Sequence, residues 1–199
     1  RRLNPHIPIS IDTRKALVAG EALRAGATLV NDVSAGLHDE QMFSLVASHR
    51  VPIILMHMQG TPKTMQADPY YDNVCAVVFD FLHDRINAAR AAGINDIIAD
   101  VGIGFGKTTD HNLELLRQHS AFQHLGVPLM LGISRKRFLG ALCNIDVPAD
   151  RDTITALCHS LLLHSGAAFV RVHNVRLIHQ LRLLVTRLVG NSADEAYER

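Results

Sequence analysis

Residues 95–112 read Asn95-Asp96-Ile97-Ile98-Ala99-Asp100-Val101-Gly102-Ile103-Gly104-Phe105-Gly106-Lys107-Thr108-Thr109-Asp110-His111-Asn112. A short apolar run reaches a carboxylate, Asp100. Glycines follow at alternate positions (102, 104 and 106), then Lys107 and two threonines, and an amphipathic helix is expected from near His111. A buried strand that ends in a carboxylate, followed by backbone able to approach a ligand closely, is the layout of an α/β ligand site. The same residues also fit a plain strand–turn–helix in which Asp100 caps a turn. Two nucleotide motifs fail. Gly106-Lys107-Thr108 looks like the end of a P-loop, but Val101 stands where that motif needs its first glycine. The dinucleotide fingerprint G-x-G-x-x-G is absent, because the third glycine comes one position early.

Working outward, the pattern of strand then helix recurs. Apolar runs are expected as strands over residues 7–11, 28–33, 51–57, 97–100, 128–133 and 168–172. Helical spacing covers residues 16–24, 39–49, 72–92, 113–125, 150–165 and 177–188. Near-continuous apolar strands alternating with helices predict a parallel sheet covered by helices. Polar residues collect at the carboxyl ends of these strands: Asp12, Asn31, His57, Asp100, Ser134 to Arg137, Arg171 and His173. Ligand sites of α/β barrels and open α/β sheets lie at that edge. The loop over residues 58–69, with Gly60, Pro62, Lys63, Thr64 and Gln66, is longer than most connections and reads as a working loop.

The chain has 199 residues, 48% of them hydrophobic, with a formal net charge of +1. One main domain is expected over residues 1–190, with a polar tail over 191–199. The charge gives no case for nucleic acid or a membrane surface, and no apolar run is long enough to span a bilayer. Cys75, Cys143 and Cys158 are odd in number and widely spaced, which argues for a reducing, cytoplasmic setting. A full (β/α)₈ barrel takes about 250 residues, so an open sheet or a barrel short of two βα units is expected.

Several blocks carry a resemblance to a known family. Ser10-Ile11-Asp12-Thr13, Asn31-Asp32-Val33-Ser34, the stretch from Leu55 to Gln66, Asp100 to Lys107, Ser134-Arg135-Lys136 and Arg171-Val172-His173 occur in this order. Together they resemble the dihydropteroate synthase family. The resemblance implies a (β/α)₈ barrel, here only its last six βα units. The first two strands, whose loops in the family carry an Asn near pyrophosphate and Mg²⁺, are the missing part. An open barrel of that kind is expected to leave unpaired sheet edges and exposed core. The implied reaction condenses 6-hydroxymethyl-7,8-dihydropterin pyrophosphate with p-aminobenzoate to give 7,8-dihydropteroate and pyrophosphate. Sulfonamide inhibition and a homodimer are implied with it.

The resemblance also implies roles. Asp100 takes the paired N–H groups of the pterin edge, since a carboxylate accepts two bonds side by side. Asn31 serves the mixed edge. Asp12 lies near the ring nitrogens and stabilises positive charge, and Lys136 donates to the carbonyl side. Met56, Phe105 and Gly132 line the ring, although Met56 and Phe105 read as core without the resemblance. Arg171 and His173 grip pyrophosphate, as alternate residues of one strand whose side chains point the same way. Asp12, Lys136 and Arg171 are the candidate catalytic residues. Ser134, Arg135 and Arg137 are assigned to p-aminobenzoate. Arg137 replaces a family Ser, Val101 a family Pro and Asn174 a family Asp. His57 is expected behind the ligand-contacting residues. Mg²⁺ is the expected cofactor, with no metal ligand assigned within this chain. Two other readings stand beside the synthase. One is a non-catalytic pterin or folate-binding module of a methyltransferase. The other is a metal-dependent hydrolase built on His57, His173 and Asp100, which lacks an H-x-H pair.

Overall fold

The computed structural model describes residues 7–60, 65, 68–162 and 165–189. The loop residues Pro62, Lys63, Thr64 and Gln66 and the tail over 191–199 lie outside them. Six strands, β1 (Ser10–Asp12), β2 (Leu29–Asp32), β3 (Ile53–Met56), β4 (Ile97–Asp100), β5 (Leu129–Leu131) and β6 (Ala167–Val170), form one sheet in sequential order. Every adjacent pair is parallel. Helix α1 (Ala16–Arg24) follows β1, α2 (Met42–His49) follows β2, α3 (Val74–Ala91) follows β3, and α4 (Thr109–Arg117) follows β4. α5 (Arg137–Cys143) and α6 (Asp152–Leu161) both separate β5 from β6, and α7 (Val175–Val189) closes the described chain. Strands β3, β4 and β5 are buried along their whole length, as their unbroken apolar runs require.

The chain divides into two compact units, Arg1–Gly132 with Ser165–Val170, and Ile133–His164 with Arg171–Arg199. The first holds the whole sheet. The second holds α5, α6 and α7. No helix among the described residues is long and apolar enough to cross a membrane.

Three differences from the sequence reading have physical causes. The helix expected over 113–125 begins earlier, where Thr108 and His111 form a capping box, and stops at Arg117. A 3₁₀ turn follows, His119–Leu125, whose three-residue period buries His119, Phe122 and Leu125 together. Helix α5 was not expected. It is only two turns long and carries Gly140, because a Cβ there would overlap Ile145 O and the Arg151 guanidinium. Finally, β6 ends at Val170, so Arg171 and His173 lie beyond the strand and the alternation argument does not place them. The His173 N–H donates to Ser134 Oγ (3.1 Å) instead of to a neighbouring strand.

Buried histidines set an acid limit. Burial, and then the Lys107 ammonium, push His57 down to about 3, and burial pushes His159 down to about 4. His119 is lowered for the same first reason. The Nε2 atoms of His119 and His159 are buried with no hydrogen-bond partner. The folded state keeps all three neutral, whereas the unfolded chain takes up protons below about 6.5. Their contribution is therefore present above about pH 6.5 and lost as pH falls toward the folded values. Full burial would make His57 and His159 each worth about 2 kcal/mol between pH 7 and pH 5, with His119 acting in the same direction. With residual solvent, a total loss of about 3 kcal/mol is expected. Urea midpoints at the two pH values measure it, and equal midpoints would show that these histidines titrate normally.

Candidate active site

Side chains alternate across a strand, so Leu29 and Asn31, Ile54 and Met56, and Ile98 and Asp100 share one face of the sheet. Ile54, Ile98 and Met130, with Leu29 against them, form an apolar layer on that face. The next layer toward the carboxyl ends carries Asn31, Met56 and Asp100, joined by Asp12, which is in register with Asn31. Asn31 Nδ2 donates to Asp12 Oδ1 at 2.7 Å. That bond fixes the amide orientation, because a carboxylate only accepts. It leaves Asn31 Oδ1 buried with no partner. Asp100 Oδ1 accepts the Gly102 N–H at 2.8 Å. A Cβ at Gly132 would come 3.6 Å from Asp100 Oδ2, so the missing side chain keeps space beside that carboxylate. Met56 is buried and Phe105 half-buried. This half of the expected set is thus brought together on one floor: hydrophobic below, with two carboxylates and an amide above.

The turn after β4 is held by the glycines and the lysine on which the sequence reading opened, together with Tyr71 and Asn112, which it did not single out. Gly102 and Gly106 have φ of +70° and +63°. A Cβ at Gly102 would overlap His57 O, and one at Gly106 would lie 2.6 Å from Gln59 O. These two glycines let the turn lie against the backbone that follows β3. Lys107 stitches the two together from inside. It is 3% exposed, and its ammonium donates to Gly102 O (2.9 Å), Phe105 O (3.1 Å) and His57 O (3.4 Å). It also lies 2.9 Å from His57 Nδ1. An ammonium has no lone pair, so Nδ1 is the acceptor and the imidazole proton sits on Nε2. His57 packs edge-on against Phe81 of α3, the helix side of the sheet. Tyr71 Oη donates to Gly106 O (2.8 Å), and Asn112 bridges Gly104 N and Thr108 O. The available signal for Lys107 was its position directly after a glycine turn, whose Gly102 and Phe105 carbonyls face its ammonium.

The second unit carries the other candidates. Ser134 is buried, and its Oγ lies 2.9 Å from His173 Nδ1 while accepting the His173 N–H. The roles across the Oγ–Nδ1 contact follow the imidazole tautomer: in the tautomer where Nδ1 accepts the hydroxyl proton, His173 presents Nε2–H as a donor. Arg135 has φ +58° and meets Asp152 twice, Nε to Oδ1 at 2.7 Å and Nη2 to Oδ2 at 2.9 Å. The Arg135 guanidinium holds the Asp152 carboxyl below the usual carboxylate range. Lys136 sits at the N-cap of α5 and Arg137 at its first turn, where Arg137 is exposed. Arg171 is exposed.

A protein-family model described as pterin binding enzyme matches residues 1–173. The chain belongs to the pterin-binding enzyme family. Among its relatives, a dihydropteroate synthase of Synechocystis sp. is 41% identical over 177 residues, 88% of this chain and 61% of that protein. The crystal structure of dihydropteroate synthase from Stenotrophomonas maltophilia superposes with a TM-score of 0.89 at 42% identity, covering 93% of this chain and 70% of that one. The Thermus thermophilus enzyme in complex with 6HMPPP superposes at 0.88 and 41%, covering 92% and 73%. The fold is therefore that of the last six βα units of a (β/α)₈ barrel, as expected. The chain spans about three fifths of the length of the curated relatives it matches, 61% of each of the first two.

Proposed function

We propose that the chain performs the pterin and p-aminobenzoate chemistry of dihydropteroate synthase. The observation that supports this most is Asn31 Oδ1, a buried acceptor with no partner, set beside Asp12 and in the same layer as Asp100. A buried polar atom without a partner costs about 1–3 kcal/mol, so a ligand donor there gains what the empty pocket loses. A pterin edge carries paired N–H groups, and Asp100 and Asn31 Oδ1 are acceptors suited to them.

In this reading the pterin pyrophosphate loses its leaving group by breaking the methylene C–O bond. Asp12 stabilises the positive charge that develops, and Lys136 donates to the pterin carbonyl. Arg171 and the Nε2–H of His173 take the charge of the departing pyrophosphate. The arylamine of p-aminobenzoate then donates its lone pair to the methylene carbon and sheds a proton. Ser134, Arg135 and Arg137 are assigned to shaping the p-aminobenzoate position. Mg²⁺ would supply further neutralisation of pyrophosphate. The described residues contain no group of three or more His, Cys, Asp or Glu placed to hold it, so no step here runs through it. Sulfonamides are expected to compete with p-aminobenzoate, a homodimer is carried forward from the resemblance, and a cytoplasmic setting from the cysteine pattern.

The test is calorimetric binding of a non-hydrolysable 6-hydroxymethylpterin pyrophosphate analogue with Mg²⁺, with and without p-aminobenzoate, followed by turnover. Tight pterin binding that strengthens p-aminobenzoate binding is expected. Pterin binding indifferent to p-aminobenzoate would favour the non-catalytic module. Asp100→Asn is expected to weaken the analogue about 100-fold, since the amide offers one acceptor where the edge needs two and adds an unmatched donor. An unchanged affinity would remove Asp100 from the pterin edge.

A further inference from the structure

Asp152 belongs to none of the sequence blocks that carry the resemblance, yet separate segments of the second unit meet on its carboxylate. Arg135, from the loop after β5, binds both oxygens. Asn174, from the segment after β6, donates Nδ2 to Oδ2 at 3.1 Å. Asp152 itself opens α6, a helix whose Thr155 Oγ1 accepts the Arg135 N–H at 3.2 Å. The same two loops are joined a second time by Ser134 and His173. Arg151, next to Asp152, donates Nη1 to Arg135 O at 3.0 Å. The guanidinium of Arg135 is thus engaged on Asp152, and its backbone is clamped by Thr155 and Arg151. That is the support a non-glycine residue at φ +58° needs.

We propose that Asp152 is a positioning residue that locks the 134–136 loop and the 171–174 segment into one arrangement, acting through Arg135 and Asn174. The proposal rests on the synthase reading, in which the first segment serves p-aminobenzoate and the second pyrophosphate. Arg135 then acts on p-aminobenzoate through the position of Ser134 and Lys136. Asn174 has two tasks at once. Its Oδ1 accepts the Leu177 N–H at 3.0 Å and caps α7, while its Nδ2 donates to Asp152 Oδ2 beside the Arg135 bond. An aspartate at 174 would cap the helix equally well but would set a second carboxylate against Asp152.

The experiment compares Asp152→Ala, Asn174→Asp and the double variant Asp152→Asn/Asn174→Asp in the intact protein. The probes are inorganic pyrophosphate and bare 6-hydroxymethylpterin by calorimetry, and KM and kcat for p-aminobenzoate by turnover. A loop displaced by about 1 Å can cost about 100-fold. Asp152→Ala is expected to weaken pyrophosphate and raise the p-aminobenzoate KM at least tenfold. Bare pterin, held by the sheet residues with Lys136 as its one contact from the locked loop, should weaken clearly less, by under about fivefold. A general loss of structure would move all three, so the split separates positioning from instability. Asn174→Asp is expected to raise KM as well, with α7 intact by circular dichroism. The double variant, which keeps one carboxylate and one amide at the hub, is expected to recover part of the loss. Equal effects on bare pterin and pyrophosphate, or none on either, would overturn the proposal. If the wild-type protein turns over no p-aminobenzoate, the synthase reading fails, while pyrophosphate affinity still reports on Asp152.

Discussion

Gly102→Ala is expected to cost about 4 kcal/mol or more of folding stability, against about 1 kcal/mol for Gly126→Ala. The two glycines have nearly the same backbone, φ +70° and +67°. For an L-residue the left-handed region alone costs about 1–2 kcal/mol. Gly126 has nothing within 4 Å of a built Cβ, so its substitution measures that strain by itself. At Gly102 the same Cβ overlaps His57 O, with Met56 Cγ a further 3.3 Å contact. The carbonyl cannot retreat easily, because His57 N is bonded to Asp100 O at 3.1 Å and His57 O accepts from Lys107. Overpacking against fixed atoms costs about 1–3 kcal/mol, and a shifted Gly102 also loosens its N–H bond to Asp100 Oδ1. Chemical denaturation of the three proteins gives the comparison. A Gly102→Ala protein no less stable than Gly126→Ala would mean that the two backbones are not in close approach. A folded Gly102→Ala protein is also expected to bind pterin poorly, since the carboxylate it helps orient is Asp100.

That pair of glycines also shows what a sequence can and cannot convey. Short apolar runs such as Ile53–Met56, and residues 97–99 closed by Asp100, bounded by turn residues and alternating with helical stretches, read as strands buried on both faces and point to a parallel α/β class. Polar residues at their carboxyl ends then identify the working edge, and strand alternation puts Asn31, Met56 and Asp100 on one face. Each of these inferences uses a local rule. The residues that escaped act across long separations. Lys107 reads as a near-miss to a phosphate loop, and nothing beside it announces that His57, 50 positions earlier, is its partner. Asp152 reads as the first-turn acid of a helix, and its link to Arg135 spans 17 positions. Helix α5 escaped because Gly140 lowers its helical propensity, a cost accepted because only glycine fits beneath Arg151. The expected pyrophosphate pair Arg171 and His173 was placed by assuming that β6 continued, whereas the strand ends at Val170 and the His173 N–H goes to the Ser134 hydroxyl.

Lys107→Met is expected to remove about 4 kcal/mol of stability and to abolish pterin binding in whatever protein remains folded. Methionine has nearly the same length and would fill the same volume, so packing is not what changes. What changes is that the carbonyls of Gly102 and Phe105 and the Nδ1 of His57 lose their donor in a place closed to water. Hydrogen bonds to a charged donor are worth about 1.5–3 kcal/mol each, and orphaned buried acceptors bear the desolvation cost in full. Burying the ammonium is itself expensive, which offsets part of that sum and keeps the net near 4 instead of 6 or more. Lys107→Arg should fail as well, because a planar fork cannot aim at acceptors converging on a single point. His57→Gln gives the informative contrast. Its Oε1 can accept from the ammonium where Nδ1 did, so the clamp survives and a loss of about 1 kcal/mol is expected. If Lys107→Met melted within about 1 kcal/mol of the wild type, the ammonium would not be holding the turn. If His57→Gln were as damaging as Lys107→Met, the imidazole would have a role beyond accepting that one bond. The expected order, with Lys107→Met far worse than His57→Gln, would make the buried lysine the internal cation that shapes the glycine turn and, through the Gly102 N–H, the position of the Asp100 carboxylate.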